Sequence, residues 1–238
     1  MEHGANFIDT SPMYKRSEEV IGRAINGARN KFILATKVWA VGRDIGKKQI
    51  QRSFDLLNTS YIEVFQIHNL VDWKTHLPFL EELKEIGRIN QIGLTHYSHE
   101  ALPEMATIME TGRIDCIQIS YNVMEREVEE TILPLAQHMN IGVIVMRPVG
   151  HGLLIDRLVE TPDISPLKEF GIQTWGQALM TWLISNPAVT SVIPATTKPS
   201  RIKENAAVGN ISLPKELNDY ILQEAIRCLK PGNYRLFS

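Results

Sequence analysis

Cysteine is scarce in this sequence of 238 residues, which contains only Cys116 and Cys228. Two thiols exclude a disulfide framework and a CxxC metal site, and Cys116 lies inside an apolar run where an inert buried thiol is expected. A reducing compartment fits this usage, and we expect a cytoplasmic protein. The first residues, MEHGANFIDT, contain no apolar signal core, and no later run approaches the ~18 apolar residues of a membrane-spanning helix. We therefore expect neither export nor a membrane partner.

An excess of one charge is also absent. The chain carries 25 Lys and Arg against 27 Asp and Glu, a formal net charge of -2, and it has no run of five like charges. A basic field for nucleic acid or for an anionic membrane is therefore lacking, and neither partner is expected. The hydrophobic fraction of 44% can bury a large core in a chain of this length, so we predict a single domain over residues 1–238.

Short apolar segments that end in a polar residue recur along the whole chain. They are rich in Ile, Val and Phe and are bounded by turn residues, as in a parallel sheet that is buried on both faces. The near copies EIGRI and ETGRI each give a helix a C-terminal glycine and support repeated β/α units. We predict an α/β fold, a (β/α)8 barrel of the TIM type. Seven strands are readable, in residues 7–10, 32–37, 64–68, 89–95, 116–120, 141–147 and 189–195.

Segments of helical periodicity separate these strands. A last helix is expected to begin near Pro214, because the fixed φ of proline suits a first helical position. Between Pro148 and Gln173 we predict one long irregular connection, of a length that usually serves a site or is mobile. The other predicted helices lie in SEEVIGRAING, GKKQIQRSFDLLN, HLPFLEELKEIG, VEETILPLAQHMN and TWGQALMTWLISN.

The number of readable strands is one short of a complete barrel. A parallel barrel of this type closes with eight strands, so seven predict a barrel that is incomplete at its N-terminal side. Two unpaired strand edges would then remain, and self-association through them is one expectation. A truncated form, pairing supplied by another chain and a different mode of closure are alternatives that stay open.

Polar residues stand at or just beyond the ends of the first three strands: Asp9, Tyr14, Lys37 and His68. Taken singly, each has a structural explanation, such as a helix cap or a paired core cation. Together they indicate a site, because the carboxyl ends of barrel strands converge. An ammonium next to a phenol lowers the pKa of the phenol, a carboxylate keeps a buried lysine charged, and an imidazole can donate to a substrate oxygen. Such a set suits protonation of a carbonyl oxygen while a hydride arrives at the carbon.

The sequence resembles the aldo-keto reductase family over nearly its whole length. The resemblance implies reduction of an aldehyde or ketone with NADPH, a small-molecule carbonyl substrate, and Tyr14 as the proton donor. It further implies that Lys37 and Asp9 tune Tyr14 and that His68 orients the carbonyl group. The similar segments are GANFIDTSPMYKRSEEVIGRAI, FILATKVW, YIEVFQIHN, IGLTHYSHEAL, CIQISYN, VMRPVGHGLL and VIPATTKPSRIKEN.

The family binds NADPH across the strand ends without a Rossmann glycine loop, and this sequence has no GxGxxG. Ala195 replaces a lysine that is common at the phosphate site, so NADH is also a possible cofactor. Met146 stands where many members stack an aromatic ring on the nicotinamide. By resemblance, the carboxamide of the nicotinamide is held by Thr95, His96 and Gln118, and the pyrophosphate loop contains Arg147, Gly150, Gly152 and Leu153. The resemblance further implies that Arg201 binds the adenosine 2′-phosphate and that Glu204 and Asn205 reach the adenine.

Two other functions stay open at this point. A family relative that binds NADPH, or has lost it, and serves as a sensor or subunit would bind without reducing carbonyl groups. A metal-dependent hydrolase barrel would use His68, His96 and His99, although the first strand lacks an HxH motif. The sequence does not specify which aldehyde or ketone is used, the preference between NADPH and NADH, the oligomeric state, or the effect of the missing first unit on activity.

Overall fold

The structure is a computed structural model that describes residues 4–229. The chain divides into two compact units. The first unit comprises Asn6–His96 and Pro103–Gln118, and the second comprises Tyr97–Leu102 with the described parts of Glu2–Ala5 and Ile119–Ser238. The single domain over residues 1–238 stays a prediction.

Parallel strands in chain order form the centre of the first unit. Register pairs include Ile8 with Leu34 and Lys37 with Gln66. The backbone N–H of Asp115 donates to the carbonyl of Ile92 at 2.8 Å, so the chain enters its fifth strand beside the fourth. The strands are β1 (Phe7–Asp9), β2 (Ile33–Val38), β3 (Ile62–His68), β4 (Ile89–His96) and β5 (Cys116–Ser120).

Amphipathic helices separate the strands of the first unit. Their apolar faces are buried: Ile50 and Phe54 on the second helix and Leu77 and Leu80 on the third are at most 2% exposed. The fourth helix was indicated in the sequence only by the C-terminal glycine of ETGRI, and Met105 and two further apolar residues on it are buried. The helices are α1 (Ser17–Ala24), α2 (Arg43–Leu56), α3 (Trp73–Glu85) and α4 (Leu102–Met109).

The second unit contains the last two strands, β6 (Gly142–Met146) and β7 (Ser191–Val192), which pair in parallel. The N–H of Tyr121 donates to the carbonyl of Met146 at 3.4 Å, so the chain leaving β5 joins β6. Leu154, Leu167 and Ile221 belong to one buried apolar cluster. The helices are α5 (Ile132–His138), α6 (Leu153–Asp156), α7 (Trp175–Ile184), α8 (Ser200–Ala207) and α9 (Lys215–Cys228).

All seven predicted strands are present among the described residues, and the predicted helices are confirmed. The irregular connection between Pro148 and Gln173 was predicted wrongly, because it contains α6 and a 3-10 turn at Ser165–Phe170. Leu154 and Leu167 in these elements are at most 1% exposed, so burial of apolar side chains organises this segment.

Within residues 4–229, every helix is too short or too polar to cross a lipid bilayer.

Candidate active site

A buried ion pair joins the ends of β1 and β2. The ammonium of Lys37 lies 2.8 and 2.7 Å from the two carboxylate oxygens of Asp9, and it also donates to the carbonyl of Thr10 at 2.8 Å. The Lys37 side chain is 0% exposed and that of Asp9 is 9% exposed. Burial lowers the pKa of Lys37, and the charge of Asp9 opposes this effect. The carboxylate therefore supplies the pairing that was expected for a buried lysine.

Tyr14 lies on the loop after β1, with 46% of its surface exposed. The centre of its ring is 5.4 Å from the Lys37 ammonium and 6.3 Å from the centre of the His68 ring. Burial, followed by the charge of Asp9, raises the pKa of Tyr14. The expected lowering of the Tyr14 pKa is therefore wrong for this arrangement, because burial and the charge of Asp9 raise that pKa. The phenol consequently keeps its proton at neutral pH.

His68 is the last residue of β3, and it is 7% exposed. Its Nδ1 lies 3.1 Å from the hydroxyl of Ser11, and that hydroxyl oxygen accepts the N–H of Met13 at 3.3 Å. The Ser11 proton can then be donated to Nδ1, which leaves the ring proton on Nε2. Burial, followed by the charge of Lys37, lowers the pKa of His68 to about 4. At neutral pH the imidazole is uncharged and can donate from Nε2.

Two residues of this cluster, Ser11 and Gln66, were missed in the sequence. Gln66 is fully buried, and its amide nitrogen donates to Asp9 at 3.1 Å. Gln66 pairs with Lys37 in the strand register and stands two residues before His68. Side chains alternate along a strand, so the spacing from His68 could have indicated that Gln66 lies on the same side of β3. The loop position of Ser11 has no such periodic signal.

The three residues expected to hold a carboxamide lie in the first unit, two at the end of β4 and one in the middle of β5. Thr95 is 1% exposed and pairs in register with His68, and its hydroxyl accepts the N–H of Asn69 at 3.4 Å. His96 ends β4 and is partly buried. Gln118 is 2% exposed, and its buried side-chain oxygen has no hydrogen-bond partner among the described residues. A buried acceptor without a donor fits the N–H of a carboxamide.

The expected pyrophosphate loop is a tight turn in the second unit. Arg147, Gly150 and Gly152 have φ angles of 57°, 54° and 92°, in the left-handed region that glycine adopts most readily. The carbonyl of Arg147 accepts the N–H of Gly150 at 2.9 Å and the side-chain amide of Asn122 at 3.3 Å. Leu153 begins α6 directly after the turn. Asn122 was missed in the sequence, although it fixes the first residue of this loop.

The last expected group lies on α8. Arg201 is exposed, whereas Glu204 and Asn205 are partly buried. One carboxylate oxygen of Glu204 accepts the hydroxyl of Thr174 at 2.6 Å, and the Glu204 backbone carbonyl accepts the side-chain amide of Gln177 at 3.0 Å. Thr174 also caps α7. Glu204 therefore has a structural role that joins α8 to the start of α7, and its contact with adenine stays a prediction.

Within the described range, no three His, Cys, Asp or Glu side chains are grouped so as to hold a metal ion. The Nδ1 atom of His68 is instead occupied by Ser11. The hydrolase alternative has no supporting observation in this part of the chain.

The comparisons with known proteins agree with one another. The sequence model of the aldo/keto reductase family matches residues 1–224. Aldo-keto reductase YhdN of Bacillus subtilis (strain 168) is 32% identical over 177 residues, which cover 67% of this chain and 53% of that protein. The NADH-specific methylglyoxal reductase of Escherichia coli (strain K12) is 25% identical over 270 residues, 88% of this chain and 80% of that protein.

A solved structure extends this likeness to the fold. An aldo-keto reductase from Klebsiella pneumoniae, crystallised in complex with NADPH, matches with a TM-score of 0.81 and 25% sequence identity. The match covers 100% of this chain and 85% of that chain. The predicted fold class, built from β/α units of the TIM-barrel type, is confirmed by this match and by the parallel pairing of consecutive strands. With the family match over residues 1–224, the chain belongs to the aldo/keto reductase family of oxidoreductases.

Proposed function

We propose that this chain reduces the carbonyl group of an aldehyde or ketone with a reduced nicotinamide dinucleotide. The observation that carries the proposal is the grouping of a protonated phenol with an ammonium and a neutral imidazole. Their separations are 5.4 Å from the Tyr14 ring to the Lys37 nitrogen and 6.3 Å between the Tyr14 and His68 rings. When bound, the dinucleotide supplies a hydride to the carbonyl carbon and is oxidised in the process.

The side chains of the first unit have distinct roles in this proposal. Tyr14 donates its phenolic proton to the carbonyl oxygen as that oxygen becomes basic, which completes the alcohol. Its partly exposed position lets it recover the proton from water. Lys37 stabilises the phenolate that is left, and Asp9 holds Lys37 in place. His68 donates from Nε2 to the same carbonyl oxygen and so fixes its direction.

We assign cofactor binding to the same residues that the resemblance implies. Among these residues, Gln118 has the best structural support, because its buried side-chain oxygen lacks a hydrogen-bond donor within the described chain. The exposed guanidinium of Arg201 suits a 2′-phosphate, while Ala195 adds no second charge. We therefore expect use of NADPH with NADH as a weaker alternative. The NADPH complex of the Klebsiella pneumoniae relative and the NADH specificity of the Escherichia coli relative support this range.

The test is NADPH oxidation over a panel of aldehydes that includes methylglyoxal, with Tyr14→Phe as the matched variant. Phenylalanine keeps the ring beside Lys37 and His68 but has no proton to donate. We expect kcat to fall by ~10²–10⁴-fold, the usual contribution of a positioned acid. NADPH affinity, measured by fluorescence titration, should stay within about twofold because Tyr14 is not assigned to cofactor binding.

A sensor or subunit that binds the dinucleotide without turnover predicts a different result. Wild type and Tyr14→Phe would then be equally inactive while NADPH still binds, and the proposed reaction would be refuted. Self-association, a cytoplasmic location and the absence of nucleic-acid and membrane partners stay predictions from the sequence. Sedimentation velocity over a concentration series tests the first of them.

A further inference from the structure

The segment Trp39–Gly42, which follows the lysine strand, is held in place by side chains from elsewhere in the first unit. The first contact comes from Gln49 on α2. Its side-chain oxygen accepts the N–H of Trp39 at 2.6 Å, and its amide nitrogen donates to the Trp39 carbonyl at 3.1 Å. One carboxamide thus satisfies both backbone groups of Trp39, in the manner of a strand partner.

Two further contacts come from the start of α3. The Nε2 atom of His76 lies 2.7 Å from the carbonyl of Ala40, and because a carbonyl can only accept, this nitrogen carries the ring proton. The carboxylate of Asp72 accepts the N–H of Gly42 at 2.7 Å and the hydroxyl of Thr75 at 2.7 Å. Asp72 immediately precedes α3 and His76 lies on its first turn, so both contacts come from the same end of this helix.

Helix α2 has a glycine, Gly46, at the point where it approaches His76. His76 is 2% exposed, and a Cβ atom on Gly46 of α2 would lie 2.2 Å from its ring. Any larger residue at position 46 would therefore displace the imidazole from Ala40. A glycine in the interior of a helix is unfavourable by itself, so its presence here is explained by the close approach of His76.

A short turn connects His68, at the end of β3, to Asp72, which binds Gly42. The N–H of Val71 donates to the carbonyl of His68 at 3.1 Å. Between His68 and α3, three non-glycine residues have positive φ angles: Asn69 at 52°, Leu70 at 56° and Asp72 at 49°. Left-handed backbone is unfavourable for such residues and persists where surrounding contacts hold it, often beside functional sites. The turn after His68 thus ends on the residue that binds Gly42.

The segment Trp39–Gly42 presents apolar side chains to solvent. Trp39 is 45% exposed and Val41 is 71% exposed. Side chains alternate along an extended chain, so Trp39 follows Lys37 on the same side of the backbone. Exposed apolar groups on a loop that is fixed by three side chains are suited to contact an apolar ligand.

We propose that Asp72 and His76 are positioning residues, which fix Trp39–Gly42 relative to His68 so that this segment forms an apolar wall for the carbonyl substrate. Neither residue touches the reacting atoms. The role in substrate binding rests on the proposed carbonyl reduction. The restraint on the segment does not depend on it, and the two parts are measured separately.

The test uses three variants and one control. His76→Phe keeps a ring beside Gly46 but removes the donor to Ala40, His76→Gln restores an N–H donor, and Asp72→Ala frees Gly42. The control is Asp44→Ala, which removes an exposed carboxylate on the first turn of α2. Hydrogen exchange of the peptide covering residues 39–42 is followed by mass spectrometry, together with KM and kcat for an apolar aldehyde and the affinity for NADPH.

We expect His76→Phe and Asp72→Ala each to speed exchange of this peptide by about tenfold, the factor that corresponds to one hydrogen bond. KM for the aldehyde should rise by a similar factor, with kcat and NADPH affinity changed less than about threefold. His76→Gln should recover most of both effects, and Asp44→Ala should show neither. A merely structural role would lower the melting temperature without this separation of KM from kcat and NADPH affinity.

Unchanged exchange in both His76→Phe and Asp72→Ala would overturn the restraint. Faster exchange with an unchanged aldehyde KM would overturn the role in substrate binding. If the wild type reduces no carbonyl compound, the proposed function fails, and the exchange measurement still decides whether Asp72 and His76 hold the segment.

Discussion

Replacing Asp9 by asparagine removes the charge that faces Lys37 with almost no change in shape. The Lys37 side chain is 0% exposed, and both Asp9 oxygens lie within 2.8 Å of its nitrogen. An asparagine can still accept one hydrogen bond, and the carbonyl of Thr10 remains, but no counter-charge is left at contact distance. Breaking a buried pair in this way typically costs ~3–5 kcal/mol, because an uncompensated charge stays behind. We expect Asp9→Asn to destabilise the protein by this amount.

The assay is urea unfolding near neutral pH, followed by circular dichroism. A loss of ~3–5 kcal/mol corresponds to a fall in melting temperature of ~6–20 °C for a chain of this size. Lys37→Met in the Asp9→Asn background should recover most of the loss, since the buried charge is then gone as well. Both variants should abolish carbonyl reduction, so the second substitution should recover stability without recovering activity.

The loss should also depend on pH. Burial already lowers the pKa of Lys37, and the charge of Asp9 is the first influence that opposes this shift. Without Asp9 the folded pKa falls further below that of the unfolded chain, ~10.4. The unfolded state then binds more protons than the folded state, so stability of Asp9→Asn rises with pH. Its deficit relative to wild type should shrink as pH rises towards the unfolded pKa of ~10.4. A deficit below about 1 kcal/mol, or one that is independent of pH, would refute the buried-pair reasoning.

Three further predictions concern other groups: His68, Asn122 and Arg29. The pKa of His68 is lowered to about 4 by burial, against ~6.5 unfolded, so wild-type stability should fall by up to ~3 kcal/mol as pH drops through that interval. His68→Gln should weaken this dependence in urea titrations, and an unchanged slope would contradict it. Asn122→Ala frees the carbonyl of Arg147 and should weaken NADPH binding by about tenfold in fluorescence titrations, whereas unchanged affinity would exclude a role of this loop. Arg29→Met removes a two-point contact with Glu63, with N–O distances of 3.1 and 2.6 Å, and should destabilise by ~1–3 kcal/mol in urea. A loss below ~0.5 kcal/mol would count against it.

The predictions of strands succeeded for a local reason. Strands buried on both faces must be continuously apolar, and this pattern is visible in the sequence without knowledge of their neighbours. Helix α4, which the sequence indicated only by the glycine of ETGRI, contains LPEMATIM, in which buried Met105 and Ile108 mark a short apolar face. The segment between Pro148 and Gln173 was predicted wrongly, because its structure depends on packing and not on a local sequence pattern. Its helix α6 has four residues and is stabilised mainly by the packing of Leu154. No local sequence pattern indicates this packing.

The predictions of site residues divide in the same way. Asp9, Lys37 and His68 could be proposed as a group because strand ends of consecutive β/α units converge, a rule that needs only the order of elements. Ser11 and Asn122 were missed because each acts through a hydrogen bond to a residue that is distant in sequence. Their partners are known only once the chain is folded.

The sequence alone determined the parallel β/α architecture and the types of polar group at the strand ends, since both follow from periodicity and from the order of segments. Only the tertiary structure decided how those groups behave. Desolvation and nearby charges depend on three-dimensional distance, so the raised pKa of Tyr14 and the lowered pKa of His68 could not be read from spacing. For the same reason, the contacts of Asp72 and His76 with Trp39–Gly42 became visible only in the folded chain.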